Sequence, residues 1–335
     1  MAGSIREIAK ICGVSEGTVD RALNNRSGIK ESTKNRILEV ARELNYQPNH
    51  LARCLATGRT NTIGVVCINM ADTFFSTLLE AIEAAAKKKG YFVTLVLTHN
   101  CIQEELNGIR YLINRGVDGI ILFPVAGGTE YVNMLKGYNI PIVTIYNRIS
   151  DTFPHIDVDG YESMRNAVAF IHGKGYGSIA YLDINFARAK EAGINIYSFE
   201  RRRAGYRQAV TELGIQSEII EDYDRDNVLD YIRNNKKMKC AILCAYDNLA
   251  IRVLSMCRLE GLSVPGDVGL MGFNNQSVLN DIYPRIYSID CNIDEIGKTA
   301  FGKLFRLINS AKDRGNETGI EDSVIEYSFS EGETL

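Results

Sequence analysis

Short apolar runs rich in β-branched residues alternate with helical patterns over most of the chain, and this alternation constrains its fold more than any other feature. The first apolar run covers residues 62–68, a helical pattern follows over 74–90, and the next apolar run covers 91–98. Strands that are separated by helices in this way are joined by right-handed crossovers and form parallel sheets. The pattern therefore predicts doubly wound α/β structure.

The alternation occurs in two series, with a break near residues 150–158. The first series continues with a helix over 103–115, a strand over 117–123, a helix over 129–137 and a strand over 140–146. The second has helices over 160–173, 199–213, 226–235 and 247–260, and strands over 178–183, 217–221, 240–245 and 268–273. Two series predict two similar lobes. Because parallel sheets bind ligands beyond the carboxyl ends of their strands, a cleft between the lobes is the expected binding site.

The first 46 residues have a different, purely helical pattern. Apolar residues recur at helical spacing on both sides of Gly13, which permits the positive φ at which a first helix ends. Ser15 is placed to cap a second helix, and a third helical pattern covers 31–45. Two short helices joined by a tight turn predict a helix-turn-helix, whose second helix enters the DNA major groove. An ordinary helical hairpin is the alternative.

Charge is distributed unevenly along the chain. Residues 1–60 hold ten Lys and Arg against six Asp and Glu, a net charge of +4, although the whole chain carries −3. Neutralisation of phosphates requires such a basic module, so the charge supports contact with nucleic acid. The segment from Asn49 to Gly58 is too short to be stable in water as an isolated helix.

Composition excludes several other classes of protein. The chain lacks a run of about 18 apolar residues, and its N-terminus lacks the apolar core of a signal peptide, so we expect a cytoplasmic location and no contact with membranes. The eight cysteines lack metal-ligand spacing and are expected to be small buried side chains in a reducing compartment. No Gly-rich cofactor turn or nucleophile motif follows a predicted strand, so we predict no cofactor, metal or enzymatic activity.

Several short motifs lie at fixed spacing in the first 58 residues: Ile8-Ala9, Gly13-Val14-Ser15, Thr18-Val19, Arg21-Ala22-Leu23-Asn24, Leu44-Asn45-Tyr46, Pro48-Asn49 and Leu55-Ala56. Together they resemble the DNA-binding head of the LacI/GalR family of transcriptional regulators. The resemblance implies a helix-turn-helix domain over 1–46 and a hinge helix with linker over 47–60. The remainder, 61–335, would be an effector-binding and dimerisation domain.

The resemblance also implies the residues that contact DNA, which are Ser15, Glu16, Gly17, Thr18, Arg21, Asn24, Asn49 and Leu55. An acidic side chain cannot contact phosphate, so Glu16 is expected to accept a hydrogen bond from a cytosine amino group. Leu55 would wedge between base pairs in the minor groove, from a hinge helix that orders on DNA in a dimer; a packing role is the alternative. Lys30 stands where the family usually has a capping Ser, so the third helix is expected to begin less firmly.

The body resembles the periplasmic sugar-binding proteins, whose fold this family uses. By that resemblance the chain returns from the second lobe to the first after a strand over 287–291, and a helix over 293–310 packs in the first lobe. The predicted lobes are about 61–157 with 291–318, and about 158–290 with 319–335. The expected fold is thus a small all-α head with an α/β body of two doubly wound parallel-sheet lobes, and one further strand is expected over 323–329.

The effector site is expected just beyond the strand ends. Arg202 matches the family's effector-binding arginine, whose guanidinium suits paired hydroxyls or a carboxylate. The turn Asp72-Thr-Phe-Phe75 resembles that of ribose-type binding proteins, in which two phenylalanines stack on a sugar ring; packing within the helix is the alternative. The full set of predicted effector contacts is Phe74, Phe75, Tyr146, Asn147, Arg148, Asp159, Arg202, Tyr246, Asp247 and Asn274.

Departures from the family pattern bear on the ligand. Tyr246 stands where Asn is usual and Asn274 where aspartate is common, so we expect an aromatic pocket less suited to clamping hydroxyls. Asn147-Arg148 resembles the Asp-Arg pair after the fourth strand, although a slip of one residue would put Tyr146 there. We expect a sugar or sugar derivative; for a phosphorylated or acidic one, Arg202 and Arg148 would face the charge.

These features predict a DNA-binding transcriptional regulator, more specifically a repressor, that binds double-stranded operator DNA as a homodimer under the control of a carbohydrate-like effector. No leucine-heptad tail follows residue 320, which favours a dimer over a tetramer. One alternative is the solute-binding protein of a transporter, against which the head and the missing export signal argue. Another is a regulator that senses a nucleobase-like or phosphorylated metabolite.

Overall fold

The computed structural model describes residues 4–46, 54, 58–310 and 321–335. The predicted DNA contacts Asn49 and Leu55, and nearly all of the predicted hinge helix, lie outside these residues. The chain forms two compact units, Met1–Thr60 and Asn61–Leu335.

The first unit contains the helices α1 (Ile5–Cys12), α2 (Glu16–Leu23) and α3 (Glu31–Glu43). Their apolar faces meet in one core, in which Ile8, Val19 and Ile37 are fully buried. The predicted turn is present: Gly13 has φ +67° at the end of α1, and Ser15 caps α2. Two helices joined by so short a turn, with the third packed across both, form a helix-turn-helix bundle.

The second unit is an α/β body with two six-stranded sheets. The strands of the first sheet are β1 (Thr62–Cys67), β2 (Phe92–Leu97), β3 (Gly119–Leu122), β4 (Ile142–Ile145), β5 (His155–Val158) and β11 (Ser323–Ile325). Those of the second are β6 (Ser178–Asp183), β7 (Gln216–Glu221), β8 (Cys240–Cys244), β9 (Val268–Phe273), β10 (Tyr287–Asp290) and β12 (Ser328–Ser330). Each sheet defines one lobe.

Helices connect most of the strands, as the alternation predicts. Those of the first lobe are α4 (Thr73–Lys87), α5 (Ile102–Asn114), α6 (Thr129–Gly137) and α12 (Ile293–Ser310). Those of the second lobe are α7 (Gly160–Gly173), α8 (Phe186–Glu191), α9 (Tyr197–Leu213), α10 (Arg225–Asn235) and α11 (Asp247–Leu259). The core strands are buried on both faces, which explains why they are continuous apolar runs in the sequence.

The strand order places a crevice in each lobe. The first sheet has the order β11-β5-β4-β3-β1-β2 and the second β12-β10-β9-β8-β6-β7, and all pairs are parallel except β10 with β12. In the first sheet, β2 lies on one side of β1, and β3, β4 and β5 lie on the other. In the second sheet, β7 lies on one side of β6, and β8, β9 and β10 lie on the other. A crevice opens at such a switch point, at the carboxyl ends of the strands.

The C-terminal segment corrects the predicted lobe boundaries. The sequence predicts that residues 319–335 belong to the second lobe with one strand over 323–329, but two strands form there. β11 pairs in parallel with β5 of the first sheet, whereas β12 pairs antiparallel with β10 of the second. The segment 323–325 therefore belongs to the first lobe. The predicted break near 150–158 likewise contains β5, a short strand that alternation alone did not reveal.

Candidate functional site

A cavity of about 450 Å³ lies at the carboxyl ends of the strands of both sheets. Ile68, Phe123 and Tyr146 line it directly after strands of the first lobe, and Ile184 and Asn274 do so after strands of the second. This volume is within the range of roughly 300–1,000 Å³ that is usual for small-molecule sites. The cleft predicted from the strand pattern is therefore present as a cavity of ligand size.

Seven of the ten predicted effector contacts line this cavity: Phe74, Phe75, Tyr146, Asn147, Arg202, Tyr246 and Asn274. They come from both lobes and from positions as far apart as 74 and 274 in the sequence. The other three, Arg148, Asp159 and Asp247, are absent from the lining.

One wall of the cavity is aromatic. The ring centroids of Phe74 and Phe75 are 4.9 Å apart, and those of Phe74 and Tyr146 are 5.1 Å apart, both in edge-to-face geometry. Phe75 packs in the same way on Phe123, at 5.2 Å. Phe74 and Phe75 are only 5% and 6% exposed, so each packs in the core and also lines the cavity. Core packing, one of the two alternatives for this pair, is therefore present, and stacking on a sugar ring stays a prediction.

Asp72 positions this wall. Its carboxylate caps α4 by accepting a hydrogen bond of 3.0 Å from the Phe74 N–H, and the residue also lines the cavity. Burial raises the pKa of Asp72, because removal from water disfavours the charged form. A carboxylate beside the aromatic rings provides an acceptor for a ligand hydroxyl.

Arg202 is the polar centre of the site. It is 5% exposed, its Nη1 donates to the Ala245 carbonyl at 2.9 Å, and its guanidinium lies 3.7 Å from the ring centroid of Phe273. Among the described residues, neither Arg202 Nε nor the Oδ1 atom of Asn274 has a hydrogen-bond partner. A buried polar group without a partner costs about 1–3 kcal/mol. Other parts of both side chains line the cavity.

Arg148 and Asp159 have structural partners instead. The Arg148 guanidinium bonds to Asp151 at 2.8 Å and also to Asp322, which ties the end of β4 to the C-terminal segment. Asp159 caps α7 by accepting bonds of 3.1 Å from the N–H groups of Tyr161 and Glu162. The expectation that both face the ligand is corrected, because these partners hold the side chains outside the cavity lining.

Asp247 is fully buried behind the cavity. Its carboxylate accepts a hydrogen bond of 2.7 Å from the Gln276 N–H and one of 2.6 Å from the Ser288 hydroxyl. Burial raises the pKa of Asp247 to about 7. Gln276 in turn accepts a bond of 2.7 Å from Thr73 at the start of α4. Asp247 therefore positions a residue that joins the two lobes, and its assignment as an effector contact is corrected.

Sequence reasoning missed other polar and aromatic members of the lining, which include Asn69, Asp72, Asn100, Phe123, Asn185, Arg188, Asn195, Phe199 and Asp222. Asn69, Asn100 and Asp222 follow strands closely, so position after a strand could have identified them. Asn195 and Arg188 lie in the connection between β6 and α9, where the short helix α8 was not predicted. Its six residues are too few for a clear helical period.

The exposed face of α2 is the candidate nucleic-acid interface. Glu16, Gly17 and Arg21 are exposed there, while Val19 and Ala22 are buried beneath them. A helix of this kind presents the side chains of its outer face to a DNA groove.

Three other predicted DNA contacts stabilise the ends of α2. The Ser15 hydroxyl accepts a bond of 3.2 Å from the Thr18 N–H and lies 2.9 Å from the Thr18 hydroxyl. Asn24 Nδ2 donates to the carboxylate of Asp20 at 2.8 Å and to its carbonyl at 2.9 Å. Ser15, Thr18 and Asn24 therefore frame α2, and their contact with DNA stays a prediction.

Comparisons with known proteins agree with this architecture. Residues 4–49 match the model of bacterial regulatory proteins of the LacI family, and residues 168–329 match the periplasmic binding protein-like domain. The HTH-type transcriptional regulator RegA of Clostridium acetobutylicum is 30% identical over 316 residues, which are 93% of this chain and 94% of that protein. The chain belongs to the LacI family. It is a DNA-binding transcriptional regulator.

Three further comparisons extend over most of this chain. Catabolite control protein A of Priestia megaterium is 28% identical over 91% of this chain and 92% of its own length. A LacI regulator from Alkaliphilus metalliredigens, solved with D-xylulofuranose, is 25% identical with a TM-score of 0.67 and covers 82% of this chain and 98% of its own. The lac repressor dimer bound to operator and the anti-inducer ONPF has a TM-score of 0.81 over 100% of this chain and 99% of its own; at 21% identity it supports the fold alone.

The described part of the chain contains no helix with the length and apolar character needed to cross a membrane.

Proposed function

We propose that this LacI-family protein is a repressor that binds operator DNA as a homodimer. A small neutral carbohydrate either weakens or strengthens this binding. The observation that carries the proposal is the cavity between the lobes, whose lining combines an aromatic wall with the polar side chains of Arg202 and Asn274. A sugar ring has apolar C–H faces and a rim of hydroxyls, so it matches both kinds of surface. Related proteins have been solved with D-xylulofuranose, cellobiose and ribose.

The charges of the lining favour a neutral ligand. Its cations are Arg188 and Arg202, and its acids are Asp72 and Asp222. Arg188 lies 3.4 Å from Asp222, so that cation already has an anionic partner. Arg148, the second cation expected to face an acidic ligand, is paired elsewhere. A phosphorylated sugar would thus meet one arginine without an anionic partner and two carboxylates.

We assign this cavity to binding rather than to catalysis. Its described lining includes neither His nor Cys, the side chains that most often act as general base or nucleophile. The curated relatives are transcriptional regulators, which supports the same assignment.

The mechanism follows from free-energy coupling between two sites. The first lobe continues directly into the head through the segment 47–60, so a change in the angle between the lobes reaches the DNA-binding unit through that segment. In a dimer, two heads match a pseudo-palindromic operator. Effector and operator then change each other's affinity by the same factor, whatever the sign of the response.

The proposal is tested with the purified full-length chain and fragmented DNA from its source organism. Bound fragments are sequenced, and the affinity for the selected site is then measured with neutral sugars, sugar phosphates and nucleobases. We expect site-selective binding that weakens as salt rises, and a change in affinity with at least one neutral sugar. Absence of site-selective binding would contradict the proposal, and a response only to nucleobases or phosphates would contradict its carbohydrate part.

A further inference from the structure

The connection between β6 and α9 differs from every other strand-to-helix connection in the described body. It spans residues 184–196 and contains its own helix, α8, whereas the others have from one to six residues. Long connections within a compact domain usually have a functional role. Part of this one lines the cavity, so we call residues 184–196 the lid segment.

The lid segment turns toward the first lobe after α8. Gly193 has φ +69°, and the Ile194 N–H donates to the Ala189 carbonyl at 2.9 Å, which closes the end of the helix. At the other end, the Arg203 guanidinium lies 3.3 Å from the ring centroid of Phe186. The same guanidinium bonds to Asp183 at 2.8 Å. The lid segment is therefore anchored on the second lobe before it reaches across.

Asn195 fastens the lid segment to the first lobe. Its N–H donates to the Val125 carbonyl at 2.7 Å, and its Nδ2 donates to the Arg148 carbonyl at 3.2 Å. Asn147 of the first lobe also bonds to the second lobe. Its Nδ2 donates to the Asn195 carbonyl at 3.1 Å, and its Oδ1 accepts from the Ser198 hydroxyl at 3.0 Å. Asn147 and Asn195 thus form a latch between the lobes.

The first-lobe side of the latch is itself held rigidly. The buried carboxylate of Glu105 accepts bonds of 2.6 Å from the Val125 N–H and 3.0 Å from the Ala126 N–H. Asn147 Nδ2 also donates to the Pro124 carbonyl at 3.0 Å. The backbone to which Asn195 bonds is therefore held by contacts that do not involve the lid segment.

The inner surface of the lid segment is mainly aliphatic. Its apolar contributions to the cavity lining are Ile184, Ala189, Ala192, Ile194 and Ile196. None of these apolar side chains offers a hydrogen bond to a hydroxyl group, and burial of a hydroxyl against them would leave it unsatisfied. The segment also places Asn185, Arg188 and Asn195 in the lining. Their side chains bond to the Arg188 N–H, to Asp222 and to the Arg148 carbonyl, respectively. The polar atoms of Arg202 and Asn274 are provided by other elements.

We propose that the lid segment 184–196 selects an effector that carries an apolar group beside its hydroxylated ring, such as a glycoside, and holds it by the Asn147–Asn195 latch. This inference rests on the proposed carbohydrate-responsive function. The hydroxylated ring occupies the side of the cavity with the aromatic wall and Arg202. The apolar group lies under the lid, where burial of its surface favours binding.

The ligand class is tested by calorimetry on the full-length chain with matched pairs of ligands: D-glucose, D-galactose, D-xylose and D-ribose, each against its phenyl glycoside. We expect at least one phenyl glycoside to bind about tenfold or more tightly than its free sugar, because the phenyl ring buries a large apolar surface. In Ile194→Ser this ratio should fall to about threefold or less. Leu259→Ser, at an exposed position outside the cavity, should retain the full ratio.

The latch is tested with Asn195→Ala. This change removes the side-chain bonds to the first lobe and reduces the population of the closed lid, so we expect about tenfold weaker binding of the preferred glycoside and faster release. Asn227→Ala, which removes an exposed asparagine on α10, should bind as the original protein does. Both variants should keep the far-ultraviolet circular dichroism spectrum of the original protein, which shows that they fold.

The outcomes separate this inference from the proposed function. Free sugars that bind as tightly as their glycosides, a ratio unchanged in Ile194→Ser, or unaltered release in Asn195→Ala would each overturn the lid assignment while carbohydrate binding stands. Binding of none of the carbohydrates would overturn both.

Discussion

Neighbouring residues of one type have different roles in this protein, as Arg202 and Arg203 show. Consecutive helical residues point about 100° apart. Arg202 therefore reaches the cavity, whereas Arg203 forms ion pairs with Asp183 at 2.8 Å and with Glu221 at 2.7 Å. Burial raises the pKa of Asp183 to about 6 despite this pairing. The role of each arginine therefore depends on which groups its side chain points toward.

Asp247 leads to a prediction about pH. Its pKa of about 7 in the folded protein exceeds the ordinary value of 3.8, so the folded state holds the proton more tightly than the unfolded chain. The stabilisation is complete below about pH 4 and is lost as the pH rises to about 7. Asp247→Asn keeps an acceptor for the Gln276 N–H and can donate to Ser288, but it does not titrate.

Urea unfolding of both proteins between pH 4.5 and 8 provides the measurement. Relative to Asp247→Asn, the original protein should lose roughly 2–4 kcal/mol of unfolding free energy across this range. Other titrating groups are the same in both proteins and cancel in the difference. A difference that stays constant with pH would contradict the assignment.

At the scale of elements, the ends of helices decide local stability in the head. Ser4 and Ser15 cap α1 and α2 with side-chain hydrogen bonds, each 3.2 Å long. Lys30 holds the corresponding position before α3 with φ −63° and ψ 138°, and it makes no side-chain capping bond. α3 therefore begins without a side-chain cap, and its weaker start stays a prediction.

We predict that Lys30→Ser stabilises α3 by about 1 kcal/mol, because a serine in this extended conformation can accept a bond from a free N–H of the first turn. Hydrogen exchange of a peptide covering 28–44 in the full-length chain should slow about fivefold. Ser4→Ala provides the matched opposite case and should speed exchange in α1 by a similar factor. Unchanged exchange in Lys30→Ser would show that the cap is not limiting.

At the scale of the whole molecule, charge and binding are divided between the two units. Residues 1–60 carry a net charge of +4, while the remainder of the chain is acidic. The binding of DNA should depend on the head and on salt, whereas the response to effector should depend on the cavity in the body. Variants in the cavity therefore distinguish the two properties.

Arg202→Lys tests this division. Lysine keeps the positive charge but lacks the Nε–H and the planar fork, so effector affinity should fall about tenfold or more. Fluorescence anisotropy on the selected operator should show the same affinity and the same salt dependence as the original protein when effector is absent. An operator affinity changed more than about twofold would indicate that Arg202 also supports the DNA-binding state.

Much of the fold was predictable because it depends on local periodicity. The helix-turn-helix and nearly all of the alternating elements were expected at close to their observed positions. β5 and α8, with four and six residues, were missed because such short elements carry no clear period. The two strands β11 and β12 appear continuous in sequence, and only pairing with different sheets separates them.

Members of the candidate site were predictable where the resemblance to the family links a residue type at one position to ligand binding. Arg202, Phe74 and Phe75 are examples, and all line the cavity. Arg148 and Asp247 have side chains that could bind an effector. Arg148 instead bonds to Asp322 and Asp247 to Ser288, and both partners are distant in sequence. The sequence does not show those partners.

The sequence alone determined the helical head, the parallel α/β lobes, the basic N-terminal charge and the family, because these depend on neighbouring residues and repeated spacing. The tertiary structure decided which polar groups are free for a ligand, since that depends on contacts between distant segments. It also decided that residues 184–196 reach across the cleft, because Asn195 meets Val125 and Asn147 only when the two lobes are folded together.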